Sequence, residues 1–124
     1  MNDLIARLEA ASDNRRVAVA LFKEITAELG DECPQDFKHH VHQADITDTD
    51  RRAWGYLLLA ALALVPEGRH WEVVFSPTAF DREDGRVFSA WVRKVLTKSR
   101  AGSRSFTPAL ALTIAAMKAR EHAD

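Results

Sequence analysis

The uninterrupted apolar stretch from Tyr56 to Val65, stopped at once by Pro66-Glu67-Gly68, constrains this chain more than any other feature. Its ten residues are half of the about 20 that a helix needs to cross a bilayer, so it predicts a helix buried in a protein core. Proline cannot continue the hydrogen-bond ladder and glycine permits the turn that follows. Beyond Trp54 the helix is apolar on most sides, which places it between other layers and not on the surface. Thr47 or Asp48 offers the side-chain oxygen for its N-cap.

After the turn the pattern changes. His70 to Ser76 is rich in β-branched and aromatic residues and reads as a strand. From Arg86 to about Val95, Val87, Ser89, Trp91 and Arg93 alternate with Phe88, Ala90, Val92 and Lys94, the period of a second strand. Asp81-Arg82-Glu83-Asp84-Gly85 supplies turn chemistry between them, so the pair is expected to be antiparallel.

Helical periodicity fills most of the rest. Leu4, Ile5 and Leu8 mark a short amphipathic helix over residues 3–11. Ser12 or Asp13 caps a second, over 14–29, with residues 17, 18, 21, 22, 25 and 29 on its apolar face and Gly30 as its stop. Residues 31–48 read as a polar loop with at most one helical turn. Lys98 to Ser105 reads as a second loop, and Thr107-Pro108 opens a last helix to about His122 with Leu110, Ile114 and Met117 on its core face. The order α-α-α-β-β-α describes an α+β fold, a small antiparallel sheet with helices packed on it, in one domain spanning 1–124. Two strands make a poor sheet. Either a third hides in 33–47 or a second copy completes the layer, so a homo-oligomer is expected, with the 70–76 strand as its open edge.

With 124 residues, 47% apolar and 28% charged, the chain has ordinary globular composition. Cys33 is its one cysteine, so no intrachain disulfide can form and a reducing compartment is expected. The start lacks the basic and apolar segments of a signal peptide, which makes the expected location the cytoplasm, with no membrane contact. Charge is unevenly spread. Residues 1–85 hold sixteen acidic and nine basic side chains, whereas 86–120 hold eight basic and no acidic ones. If that basic third shares one face, it attracts phosphates or an acidic protein surface.

Three stretches resemble the small phage and prophage proteins grouped as the phage α-β-α sandwich domain. They are Asp3-Leu4-Ile5-Ala6-Arg7-Leu8-Glu9-Ala10-Ala11, then Ala61-Leu62-Ala63-Leu64-Val65-Pro66-Glu67-Gly68 with Trp71, and Thr107-Pro108-Ala109-Leu110-Ala111-Leu112 with Ala115-Ala116 and Ala119-Arg120. Residues 15–52 show no match, and Phe106 and Thr113 stand where such proteins usually have a small residue and a cysteine. The resemblance implies a phage origin, a bacterial host cell and helices sandwiching a small sheet. It brings no reaction and no catalytic residues.

Zinc accepts ligands of the types found in Cys33, Asp36, His39, His40, His42 and Asp45, but their spacing reproduces no common zinc framework. No metal ligand, cofactor or catalytic residue is assigned. The stretch 97–105 is the stronger candidate. Lys98, Arg100, Ser103, Arg104, Ser105 and Thr107 offer donors just before a helix N-terminus, where the helix dipole favours an anion. The expected function is noncovalent binding to a host component, as an inhibitor of a host defence complex. The alternatives are a nucleotide or nucleic-acid binder using the basic loop, and a minor enzyme using Cys33 with His39 or His40. Trp54, Leu58, Leu62, Trp71, Phe75, Leu110, Ile114 and Met117 are expected in or near one core. Truncating Leu62 or Leu110 to alanine should then cost about 2–5 kcal/mol, measured by chemical denaturation.

Overall fold

Helix α1 (Asn2–Ala10) buries Leu4, Ile5 and Leu8, the stripe that its sequence predicts. It belongs to a computed structural model that describes residues 2–75, 88–94 and 100–121. Helix α2 (Arg15–Leu29) is capped by Asn14 and not by Ser12 or Asp13. The Asn14 side-chain oxygen accepts from the N–H groups of Arg16 and Val17. Its buried face is Ala18, Val19, Leu21, Phe22 and Ile25, while Val17 faces water. Gly30, at φ 55°, ends it in the left-handed region that glycine adopts without strain.

The expected polar loop is mostly helix. After one turn of 3-10 helix over Gly30–Glu32, helix α3 spans Gln35–Ile46 and buries Phe37, Val41 and Ala44 at helical spacing. Phe37 stacks on Phe22 of α2 with ring centroids 5.8 Å apart, and Ile46 stays outside. Helix α4 (Asp50–Leu64) is preceded by Thr49 at its cap position. Neither Thr47 nor Asp48 caps it; the Thr47 hydroxyl donates back to the Gln43 carbonyl, closing α3 instead. The apolar run ends as predicted, with Gly68 at φ 79° leading into the sheet.

The sheet has three antiparallel strands, β1 (Arg69–Phe75), β2 (Phe88–Lys94) and β3 (Arg100–Ser105), in the order β1-β2-β3. The third strand therefore lies in the stretch expected to be a loop, and not in 33–47. The predicted turn at Asp81–Gly85 lies outside the described residues. Helix α5 (Pro108–Glu121) packs along β2 and β3 on one face of the sheet and against α1 and α4 on its other side.

The layer buried on all sides is α5 and not α4. Residues 109–117 and Ala119 are all buried. Ala109, Leu110, Ile114, Ala116 and Met117 join the cluster with α1, α2, α3 and α4, while Ala111, Leu112, Ala115 and Ala119 join Ala61, Ala90 and Val92 on the sheet side. Helix α4 instead leaves Gly55 and Leu59 exposed. The apolar residues thus form two clusters separated by α5. Leu110, Ile114 and Met117 are fully buried, and Trp54, Leu58 and Leu62 are half-buried at the margins. Trp71 and Phe75 are not core residues, being 47% and 57% exposed. Their strand is at the sheet edge, where α5, which lies mainly over β2 and β3, reaches Val73 but leaves these two rings exposed.

Close approach explains the small residues at this seam. By register Ala101, Ser103 and Ser105 share the helix-facing side of β3 with Ala90 and Val92 of β2. The Ser103 hydroxyl donates to the Ala111 carbonyl and Lys118 Nζ to the Gly102 carbonyl at 3.1 Å, so the helix is bonded as well as packed to β3. At its far end Arg120 Nε donates to the Leu64 carbonyl at 2.9 Å, satisfying a C-terminal group of α4 that no helical N–H reaches.

Overfilling this seam with Ala115→Leu should cost about 1–3 kcal/mol, because the sheet cannot recede without breaking its ladder. Leu110→Ala should lie well inside the about 2–5 kcal/mol range, and half-buried Leu62→Ala at or below its lower end. Thr113 Oγ1 is fully buried without a hydrogen-bond partner. Replacing Thr113 by the isosteric valine should raise stability by about 1 kcal/mol. Urea denaturation midpoints with unchanged slope check all four values.

Candidate functional site

Strand register divides the sheet into two chemically different faces. The face covered by α5 carries Val73, Ala90, Val92, Ala101 and Ser103. The opposite face presents His70, Glu72 and Val74 from β1, Ser89, Trp91 and Arg93 from β2, and Gly102 and Arg104 from β3. His70, Glu72, Val74, Gly102 and Arg104 are exposed there, and Trp91, Ser89 and Arg93 partly so.

The middle of this outer face is organised by contacts across the strands. Trp91 lies opposite Glu72, and its indole N–H donates to Glu72 Oε1 at 3.1 Å. That bond fixes the ring as a platform. The Arg93 guanidinium lies over it, 5.0 Å from the ring centroid, in a cation–π arrangement. Among the described residues no carbonyl or carboxylate accepts from Arg93, and its Nε is buried without a partner. Arg104 stands beside Ser89 on the next strand, and Arg100 is at the register position facing Arg93. The result, among the described residues, is a shelf in which a tryptophan is flanked by Arg93 and Arg104, with the Glu72 carboxylate at its edge.

The residues singled out in 97–107 are distributed differently from the expected anion loop. Lys98 lies outside the described residues. Ser103 and Ser105 belong to the inner side of β3, Ser103 donating to Ala111 and Ser105 fully buried, whereas Arg104 is on the outer side. Thr107 caps α5: its hydroxyl accepts from the Leu110 N–H at 3.1 Å and its carbonyl from the Ala111 N–H at 3.0 Å. The strand thus separates the Ser103 and Ser105 hydroxyls from the Arg104 guanidinium. Alternation in β2 already put Ser89, Trp91 and Arg93 on one face; nothing in the sequence reveals that Glu72 and Arg104 flank them.

Helix α3 fans the histidines apart. His40 is half-buried, its ring 6.5 Å from that of Tyr56 and 5.3 Å from that of His39, while His39 and His42 are exposed. Cys33 is buried, with its thiol directed at the Pro34 carbonyl, 3.8 Å away. Burial pushes the Cys33 thiol up from its ordinary value, partly offset by the Thr26 hydroxyl and by the charges of Lys38 and Arg120. A nucleophilic cysteine needs a shift in the other direction. Between α2 and α3 a groove is lined by Arg15, Arg16, Lys23, Asp45 and Thr47, and three of its charged side chains are engaged. Arg15 donates to the Thr47 carbonyl and pairs with Asp50 at 2.9 Å, and Lys23 pairs with Asp45 at 2.7 Å. No protein family, curated protein or solved structure matches this chain.

The thiol supplies a test of this geometry. In the folded protein Cys33 should resist iodoacetamide at pH 7 and become reactive only above the normal thiol range or on unfolding in urea. Mass spectrometry of the alkylated chain follows both; rapid labelling of the native protein at pH 7 would place Cys33 at the surface.

Proposed function

We propose that this is a noncovalent binding protein whose working surface is the outer face of the sheet, and that its partner presents carboxylates there. The observation that carries the reading is Arg93. Its guanidinium is stacked on Trp91 and its buried Nε has no acceptor among the described residues, although a charged donor of this kind normally has one. Arginine and tryptophan are also the side chains that most often dominate the energetics of protein interfaces. Arg104 widens the positive area, and the uneven charge of the chain steers an acidic surface towards it.

A protein partner suits the shelf better than nucleic acid. Glu72 sits at its edge and repels phosphates, whereas a protein surface can meet it with a donor. The resemblance of three stretches to phage sandwich proteins supports a bacterial host component as that partner, with blockade of a host defence complex as the consequence. Residues 15–52, where that resemblance is absent, hold α2 and α3 on the far side of the molecule from the shelf, with α4 and α5 between.

Arg93→Ala and the double reversal Arg100→Glu with Arg104→Glu should both leave the denaturation midpoint within about 1 kcal/mol of the wild type, since Arg93 is half-buried, Arg104 is exposed and Arg100 holds an outer register position. Each should weaken capture of a discrete bacterial protein by about tenfold or more. Affinity purification from host lysate at fixed salt, with wild type and variants side by side, measures this. Loss of co-purifying nucleic acid in place of a protein would transfer the surface to phosphate binding. Retention of the same partner by both variants would remove the shelf as the site.

A further inference from the structure

The open side of β1 points to a second copy of this chain. Among the described residues β1 is bonded on one side only, to β2, so its other side presents a row of unpaired backbone donors and acceptors. Its faces are only partly covered, with Val73 packed against the α5 side. Trp71 and Phe75 on the helix side and Val74 on the outer side are all exposed, an unusual composition for a strand meant to end a sheet. Neither a proline nor a bulge interrupts Arg69–Phe75, and the charge on its helix-facing side, Arg69, stands at its first position and leaves Trp71 to Phe75 unguarded.

We infer that β1 pairs antiparallel with β1 of a second copy, extending the sheet to six strands about a two-fold axis, and that the axis passes by Trp71. In such a pair one residue lies opposite itself, which leaves Trp71, Glu72 and Val73 as centres. Centring on Glu72 sets two carboxylates face to face and is unfavourable. Centring on Val73 leaves each Glu72 carboxylate against the partner's Val74. Centring on Trp71 puts His70 opposite the partner's Glu72 twice, once on each side of the axis. Glu72 uses Oε1 to accept from Trp91, so Oε2 is the atom that meets the partner's His70. On the helix side the two Trp71 rings come together, and Arg69 lies diagonal to the partner's Trp71, within reach of its ring. One register therefore satisfies the charges and covers the exposed indoles, and it is self-complementary, as a two-fold interface must be.

Sedimentation equilibrium at tens of micromolar tests this, with circular dichroism to show that each variant is folded. The wild type should run at twice the 13.9 kDa of one chain. His70→Glu places like charges opposite each other at two positions and should raise the dissociation constant by about tenfold or more. Adding Glu72→Lys to His70→Glu restores opposite charges and should restore the dimer. A monomeric wild type would overturn the proposal. So would a His70→Glu variant that dimerises as before, or a folded double variant that stays monomeric.

Discussion

Everything in this structure hangs on a helix that touches water almost nowhere. Helix α5 lies between the sheet and the other helices, with ten of its fourteen residues buried. A helix in that position cannot be amphipathic, and it is built accordingly: Leu110, Ile114 and Met117 on one side, Ala111, Ala115 and Ala119 on the other. The large side chains fill the wider space between helices, where α1, α2 and α4 meet. The alanines let the backbone come close to β2 and β3, whose facing residues are also small. Close packing then requires few large side chains on β3, which is why Arg100-Ala101-Gly102-Ser103-Arg104-Ser105 can be a strand at all. Its stability comes from the ladder with β2 and the bonds from Ser103 and Lys118, and not from intrinsic strand propensity.

Covering the sheet on one side gives the other its character. With α5 on the inner face, strand alternation sends Trp91, Arg93 and Arg104 outward together. The same helix is too narrow to shield all three strands. It covers β2 and β3, reaches Val73 of β1 and leaves Trp71, Val74 and Phe75 exposed, so the shelf and the open edge have a single origin in where α5 lies. Polar detail follows from the same crowding. Ser105 and Thr113 carry buried hydroxyls without partners, which makes sense if their volume matters more at this seam than their oxygen.

Much of this was legible residue by residue. The stripe of Leu4, Ile5 and Leu8, the stop at Gly30, the halt of the apolar run before Pro66 and the alternation around Trp91 are local patterns, set by helix and strand periods and by the torsional limits of glycine and proline. The α+β class and the antiparallel pairing of the first two strands follow from them. Helix α3 escaped notice because only Phe37, Val41 and Ala44 form its buried stripe and polar residues surround them. A stripe that narrow is stabilised by the helices it packs against, α2 and α4, which lie outside the few residues that a periodic pattern spans. Strand β3 escaped for a related reason, since arginine, glycine and serine favour a loop until a neighbouring strand supplies hydrogen bonds. The candidate site was half visible. Trp91 and Arg93 share a face by local alternation, but Glu72 and Arg104 join them only through the register of two strand pairs.

The sequence by itself determined where chain direction and secondary structure change, because those events depend on residues within a few positions of one another. It also determined the uneven charge and the buried character of the alanine-rich segments. Only the tertiary structure decided which apolar helix is enclosed. Both α4 and α5 are hydrophobic enough for the inner layer, and the choice rests on which of them has small residues where the sheet comes near. Ala111, Ala115 and Ala119 answer that for α5, whereas Leu58 and Leu62 keep α4 at the margin. Once that choice is made, the arginines of β2 and β3 have one free side to occupy, and the edge of β1 has no helix left to cover it.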